Sequence, residues 1–102
     1  MNYKVDFSEI AWEKPIKGVR CKTKKQGAKQ LRLVEYTKEM DPHWCEKGHF
    51  GYILEGKFEI RFESGPLIYA AGDGVFIPPG PKHRHMAKVL SSLVRALFVE
   101  QS

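Results

Sequence analysis

Apolar and polar residues alternate along short stretches of this chain, and turn-forming residues separate the stretches. In residues 57–62 the apolar positions are Phe58, Ile60 and Phe62, and charged residues occupy the positions between them. A period of two predicts a β-strand with one buried and one exposed face. Serine, glycine and proline follow within 63–66, where they predict a turn.

Similar patterns extend this prediction to most of the chain. They predict strands at 18–24, 29–36, 67–70 and 75–77, and a final hairpin that turns at Ser91 and Ser92. Residues 7–14 fit either a helical turn or an extended arm. About eight short strands with regular turns are typical of a closed barrel or a sandwich, so we expect a small antiparallel β-barrel.

Length and composition indicate one ordinary globular domain spanning residues 1–102. Hydrophobic residues make up 42% of the chain and charged residues 28%, which argues against disorder. The first residues lack a signal-peptide pattern, and no apolar run has the length of a membrane helix. With only Cys21 and Cys45 there is no disulfide framework, so we expect a cytoplasmic protein that does not enter a membrane.

The net charge of +5 comes from one region, since the segment from Lys14 to Arg32 contains eight basic and no acidic residues. Such a segment fits an anionic partner such as nucleic acid. It also fits an edge strand whose lysines prevent pairing with another sheet. We favour the edge strand and do not expect nucleic acid as a partner, because no aromatic residue interleaves these charges.

Candidate ligand atoms for a metal occur in two clusters. His43, Cys45 and His49 lie in the first, and His83 and His85 lie in the second. One isolated histidine is usually a surface or hydrogen-bonded residue, and one isolated cysteine is usually a small buried hydrophobe. Because all four histidines of the chain fall in these clusters, a metal or catalytic site is the better interpretation.

The first cluster belongs to the stretch HWCEKGHFGYILEG, which resembles the first motif of the cupins, small jelly-roll β-barrels. That motif is a glycine, five residues, His-x-His, three or four residues, a glutamate, six residues and a glycine. His43 matches the first histidine and Gly56 the closing glycine. Cys45 stands in place of the second histidine, His49 in place of the glutamate and Thr37 in place of the opening glycine.

The second cluster follows GDGVFIPPGPKH, which resembles the second cupin motif more closely. That motif is a glycine, five residues, Pro-x-Gly, two residues, a histidine, three residues and an asparagine. Gly72, Pro78, Gly80 and His83 match it at every spacing, and Ala87 replaces the asparagine. The resemblance covers residues 37–87, with motif 1 at about 37–56 and motif 2 at about 72–87. It implies an all-β, single-domain antiparallel jelly-roll β-barrel.

The resemblance implies one bound metal with His43, Cys45, His49 and His83 as candidate ligands. A thiolate in the set favours iron, zinc or nickel over manganese, and its deprotonation would couple metal uptake to proton release. Without Cys45, the three histidines form a set like that of the thiol dioxygenases in this superfamily. A third interpretation is that these substitutions record the loss of the metal. His85 is either a catalytic acid or base that lines the pocket or an exposed residue near the rim.

Two functions follow from the resemblance. One is a mononuclear metal-dependent enzyme of the dioxygenase, isomerase or decarboxylase type that acts on a small polar molecule. The alternative is a non-catalytic protein that binds or senses a small ligand, with a structural metal or none. Tyr52 and Leu54 alternate away from the ligand face, which suits a homodimer formed through the outer sheet, as cupins commonly form.

Overall fold

The computed structural model describes residues 3–101, in which nine strands and two short 3-10 turns form. The strands are β1 Glu13–Ile16, β2 Val19–Gln26, β3 Lys29–Tyr36, β4 His49–Glu55, β5 Lys57–Phe62, β6 Gly65–Ala70, β7 Gly74–Ile77, β8 Met86–Val89 and β9 Val94–Gln101. The 3-10 turns are Phe7–Glu9 and Pro81–His83. Within the described part of the chain, no helix is long and apolar enough to cross a membrane.

The strands form two antiparallel sheets, and the all-β jelly-roll prediction is confirmed. The large sheet has the order β1-β2-β3-β9-β4-β7, and the small sheet has the order β6-β5-β8. The two sheets are not hydrogen-bonded to each other into a closed barrel over residues 3–101. Their inner faces pack together instead, and the most deeply buried side chains include Val34, Ile53, Ile77, Val94 and Phe98.

The alternating pattern located several strands correctly. Strands β3 and β5 have the predicted limits of 29–36 and 57–62, and β2 and β3 are joined at Gly27, as expected. Gly27 has a φ of 62°, a left-handed conformation that suits glycine in a tight turn. The segment 7–14 contains both alternatives, a 3-10 turn at Phe7–Glu9 and the start of β1.

The predicted final hairpin is wrong. Strand β8 pairs with β5 in the small sheet, whereas β9 lies between β3 and β4 in the large sheet. Both edges of β9 are therefore occupied, and neither is free for β8. The Ser91 hydroxyl accepts a hydrogen bond from the Lys57 amide and donates one to the Leu93 carbonyl, which fixes a connection that crosses between the sheets.

The inner face of the large sheet changes from apolar to polar along its strands. In β9, Val94, Ala96 and Phe98 are buried in the core, and Glu100 is the next residue on the same face. In β4 the corresponding series runs from the buried Ile53 back to His49. The period of two therefore places the core at one end of the sandwich and polar groups at the other.

Glycine is required where β4 and β9 approach each other. A Cβ atom added to Gly51 would collide with the carbonyl oxygen of Leu97 and lie 2.9 Å from the Phe98 ring. Gly74 lies on the adjacent β7, where an added Cβ would find its nearest neighbour at 3.8 Å. Close approach of the two backbones therefore excludes a side chain at position 51 but not at position 74.

Two rows of apolar residues cross the outer face of the large sheet. They contain Leu31, Val99, Phe50 and Phe76 in one row and Leu33, Leu97 and Tyr52 in the next. We call these seven residues the outer apolar face. Phe76 is 80% exposed, and Tyr52 and Val99 are also exposed. A contiguous apolar surface of this kind is typical of an interaction site.

A charged row borders the outer apolar face. The Glu35 carboxylate accepts hydrogen bonds from Arg20 at 2.6 Å and from Arg95 at 2.9 and 2.6 Å. These arginines cover Glu35, whose side chain is only 3% exposed. Burial by itself would raise the pKa of Glu35, but the hydrogen bonds from Arg95 and Arg20 outweigh it and lower the pKa. The ionised carboxylate therefore stabilises the fold.

The basic segment corresponds mainly to β1 and β2. Strand β1 pairs with β2 only between Val19 and Cys21. The rest of β2, from Lys22 to Gln26, pairs with β3 on one side, and no strand of the described chain pairs with it on the other. Lysines at such an exposed edge hinder sheet-to-sheet pairing, so the edge-strand interpretation remains our prediction for this segment.

Candidate metal centre

An isolated pair of backbone hydrogen bonds positions two candidate ligand side chains. The Cys45 amide donates to the His85 carbonyl at 2.8 Å, and the His85 amide donates to the Cys45 carbonyl at 2.9 Å. Residues directly opposite in an antiparallel bridge project their side chains to the same side, with Cβ atoms about 4.5–5.5 Å apart. This bridge therefore places the Cys45 thiol beside the His85 imidazole.

His49 completes a cluster of three candidate ligand residues. It is the first residue of β4 and shares the inward face with Ile53. Gly48, just before it, packs so closely on Pro79 that an added Cβ would lie 2.8 Å from the proline ring. The ligand atoms of Cys45, His49 and His85 all lie within 4.8 Å of one another. We call these three residues the ligand cluster.

The His85 ring is held by one nitrogen and leaves the other without a partner. Its Nδ1 atom lies 3.1 Å from the His83 carbonyl oxygen, so Nδ1 carries the proton and donates. His85 is only 4% exposed, and its Nε2 atom is buried and has no hydrogen-bond partner in the described chain. Because buried polar atoms are normally satisfied, this nitrogen is a candidate ligand atom for a metal.

The His49 ring is held in the same way, by a carboxylate. Its Nδ1 atom lies 2.6 Å from an oxygen of Glu100. Glu100 is held in turn by two hydrogen bonds from Arg32, at 3.0 and 2.9 Å, and by one from Gln30 at 3.0 Å. Histidines that bind metals usually donate their second ring N–H to a carboxylate or a carbonyl, and both histidines of the cluster show this arrangement.

Electrostatics favour the charged forms of these groups. The His49 imidazole, and secondly the His85 imidazole, lower the pKa of the Cys45 thiol to about 5, although burial opposes the shift. Burial would raise the pKa of Glu100, but hydrogen bonds with His49 and Arg32 lower it to about 2. Burial alone would lower the pKa of His49, yet its bonds to Cys45 and Glu100 raise it. At neutral pH Cys45 is therefore a thiolate, the form that binds metals.

The ligand cluster opens onto a cavity of about 1070 Å³ between the two sheets. Its apolar wall is formed by Phe58, Ile60, Val75, Ala87, Phe98 and other residues. Trp44 also lines the cavity; it is exposed and carries the Arg84 guanidinium 4.6 Å above its ring. The cavity is large enough for a small organic ligand beside the cluster.

The structure brings together some of the predicted site residues. Cys45 and His49 lie in the ligand cluster, and so does His85, predicted as a catalytic residue. His43 lines the cavity but is exposed, and its Nδ1 atom faces the Asp41 carbonyl at 3.1 Å. His83 is exposed on the 3-10 turn Pro81–His83, outside the cluster. Its backbone carbonyl, rather than its ring, contacts the site through His85.

Sequence reasoning missed Glu100, Arg32 and Gln30. The alternation in β9 could have revealed Glu100. Every second residue from Val94 points inward and is apolar, until Glu100 takes the next inward position. A charged residue at an inward position of a strand indicates a polar partner or a functional site. Pairing with β3 supplies those partners, because Gln30 lies directly opposite Glu100.

The chemistry of the cluster fits a transition metal. It offers one thiolate and two imidazole nitrogens, since both Nδ1 atoms are held by oxygen atoms outside the cluster and the Nε2 atoms are the ones that a metal could take. Such a soft set suits zinc, iron, nickel or copper better than manganese. Cys45, His49 and His85 are therefore the residues that could hold a metal.

Comparison with known proteins agrees with this architecture. Residues 32–99 match Cupin_2, the cupin domain family. The match covers more than half of the chain, so the chain belongs to the cupin family. A comparison with curated protein sequences found no match.

Several solved structures share the fold. KdgF from Halomonas sp. is 25% identical, with a TM-score of 0.71 over 93% of this chain and 92% of that protein. An RmlC-like cupin from Shewanella frigidimarina NCIMB 400 is 15% identical, with a TM-score of 0.73 over 98% and 92%. The cupin domain of Cnp3 from Schizosaccharomyces pombe is 12% identical, with a TM-score of 0.75 over 98% and 74%. The last two show a common fold only.

Proposed function

We propose that this cupin binds one divalent transition metal through Cys45, His49 and His85 and acts on a small polar molecule in the adjoining cavity. The convergence of the Cys45, His49 and His85 ligand atoms within 4.8 Å of one another is the observation that carries this proposal. The cluster combines a thiolate with two imidazoles, and among the described residues the buried Nε2 atom of His85 has no hydrogen-bond partner, a combination that a metal would satisfy. Iron, zinc or nickel is favoured over manganese because of the thiolate.

Three protein ligands leave coordination positions for a substrate or water, which distinguishes catalytic from structural sites. When bound, the metal would supply Lewis-acid polarisation, or redox chemistry if it is iron. The apolar wall with Phe58 and Ile60 would exclude bulk water from the bound molecule. Trp44 also lines the cavity, and the ring face that Arg84 does not cover could orient the molecule.

The alternative is a non-catalytic cupin in which the metal holds only a ligand or the fold. The open cavity beside the cluster argues against a metal that holds only the fold, because a purely structural centre needs no access for a small molecule. A fourth protein ligand that closed the coordination sphere would favour the alternative.

Metal content tests the proposal directly. Protein purified without chelator and without nickel resin should contain close to one transition metal per chain by elemental analysis. Crystals should show anomalous scattering from that metal next to Cys45 Sγ. Absence of metal after incubation with iron, zinc and nickel salts would refute the proposal. Dioxygen uptake by the iron-loaded protein with small thiols or diketones would identify a dioxygenase.

We also propose that the chain forms a homodimer through the outer apolar face. Phe76 is 80% exposed there, far more than a large aromatic residue usually is in a monomer. In solution the protein should have twice the chain mass of 11.7 kDa. Phe76→Lys should yield monomers, whereas Ile68→Lys on the exposed small sheet should leave the dimer intact. A monomeric wild type in sedimentation equilibrium would contradict this proposal.

A further inference from the structure

The Glu100 carboxylate is saturated with hydrogen-bond donors. Oxygen Oε1 accepts from Arg32 Nε at 3.0 Å and from Gln30 Nε2 at 3.0 Å. Oxygen Oε2 accepts from Arg32 Nη2 at 2.9 Å and faces His49 Nδ1 at 2.6 Å. Arginine cannot accept a hydrogen bond, and an ionised carboxylate cannot donate one. The carboxylate can therefore meet His49 only if Nδ1 of the ring carries a proton.

This arrangement determines which nitrogen of His49 is available to a metal. With the proton on Nδ1, the lone pair of the neutral ring belongs to Nε2. We propose that Glu100 is a positioning residue that holds His49 in the Nδ1–H tautomer, with Arg32 and Gln30 fixing Glu100 in place. This inference rests on the proposed function in one respect: an effect of Glu100 on metal affinity requires that the cluster bind a metal.

The strands themselves supply the rigidity that such positioning needs. Gln30 and Glu100 are directly paired between β3 and β9, and Arg32 is paired with Phe98. The side chain of Arg32 is only 17% exposed, and that of Glu100 only 9%. His49 begins β4, the other neighbour of β9. Sites built on strands hold their geometry better than sites built on loops, so the network can fix the orientation of the ring.

The substitution Glu100→Gln distinguishes an effect on the His49 tautomer from an effect on packing. The glutamine has nearly the same shape, but its amide NH₂ must replace one of two oxygens that each face donors. At the Oε1 position the NH₂ would oppose donors from both Arg32 and Gln30. At the Oε2 position it would oppose Arg32 and could donate to His49 only if Nδ1 lost its proton. The second placement moves the ring proton to Nε2, where it blocks metal binding.

The experiment measures Zn²⁺ and Co²⁺ affinity by competition with a chromophoric chelator. Loss of the partner that orients a metal-binding histidine typically costs about 10–100-fold in affinity, and we expect that weakening for Glu100→Gln. Glu46→Gln is the matched control. It removes the same charge from the cavity wall, and among the described residues no hydrogen bond joins the Glu46 side chain to the cluster. Its affinity should stay within about twofold, as for an exposed charge in water.

A second readout is independent of metal binding. Nitrogen-15 NMR of the metal-free protein, at a pH where one proton remains on the His49 ring, should show Nδ1–H in the wild type. In Glu100→Gln the proton should move toward Nε2. A wild type with the proton mainly on Nε2 would overturn the inference even if the protein binds no metal. A wild type that binds metal, with unchanged affinity and tautomer in Glu100→Gln, would overturn it while leaving the proposed function intact.

Gln30→Met provides a milder test if Glu100→Gln does not fold. It removes one of four donors to the carboxylate and keeps the length of the side chain. One indirect hydrogen bond of about 0.5–1 kcal/mol corresponds to weakening of roughly 2–5-fold. Unchanged metal affinity and an unchanged His49 tautomer in this variant would count against the inference.

Discussion

Replacement of either His83 or His85 by alanine distinguishes the metal site implied by the sequence motif from the candidate site in the structure. His83 matches the motif histidine, yet its ring is exposed on a 3-10 turn. His85 is buried and belongs to the ligand cluster, and among residues 3–101 its Nε2 atom has no hydrogen-bond partner. If the ligand cluster is the metal site, His85→Ala should abolish tight binding. His83→Ala should leave it nearly unchanged.

The expected loss of zinc affinity in His85→Ala can be calculated from the number of ligands. Four-ligand zinc sites in small peptides bind with about 10–16 kcal/mol, or roughly 2.5–4 kcal/mol per ligand. At about 1.4 kcal/mol per tenfold change, loss of one ligand should raise the dissociation constant by about 60- to 700-fold. His83→Ala retains the backbone carbonyl that orients His85, so we expect a change within about twofold, typical of an exposed contact.

Chelator competition with Zn²⁺ measures both variants, and circular dichroism verifies that each is folded. Cys45→Ala and His49→Ala should resemble His85→Ala, and His43→Ala should resemble His83→Ala. The reasoning would be refuted if His83→Ala lost the metal while His85→Ala retained it. The motif histidine would then be the ligand, and the bridge between Cys45 and His85 would have no role in metal binding.

Two further predictions concern stability. Glu35→Gln should lower the free energy of unfolding at pH 7 by about 1–2 kcal/mol, because Arg20 and Arg95 lose a charged acceptor. The fold lowers the pKa of Glu35, so the difference in unfolding free energy should be complete above the ordinary pKa of 4.5. It should disappear as the pH falls through the lowered pKa, because the carboxylate is then protonated. Urea unfolding that gives the same difference between wild type and variant in acid as at pH 7 would contradict this. Gly51→Ala should lower the melting temperature by about 5–20 °C through overpacking against a β9 carbonyl. The control Gly74→Ala should change it by less than about 4 °C, and equal losses in the two variants would show that backbone approach is not the cause.

The sequence predicted local structure better than it predicted long-range contacts. The period of two located β5, and the spacing of the second motif led to the cupin family, which the match over residues 32–99 supports. The hairpin error at Ser91 had a different origin. Neighbouring strands usually pair, but β9 inserts between β3 and β4, and local pattern contains no information about that choice.

The same limit applies to the candidate site. In an extended chain, His83 and His85 are two residues apart and would point to the same side. The 3-10 turn at Pro81–His83 interrupts the extended conformation, however, and leaves His83 exposed. Cys45 faces His85 because of two backbone hydrogen bonds between segments far apart in sequence. Glu100 reaches His49 only because β9 and β4 are adjacent. These contacts depend on sheet topology, which the spacing of ligand residues does not reveal.

The bridge between Cys45 and His85 also has a consequence for folding kinetics. It joins segments whose backbones meet only after β4 and β8 have docked in different sheets, so loop closure over a long stretch of chain must precede it. The full set of ligands therefore should not exist in partly folded chains. If the cluster binds Zn²⁺ and the bridge closes after the rate-limiting step, Zn²⁺ should slow unfolding without accelerating folding, and a faster folding rate in Zn²⁺ would contradict that order of events.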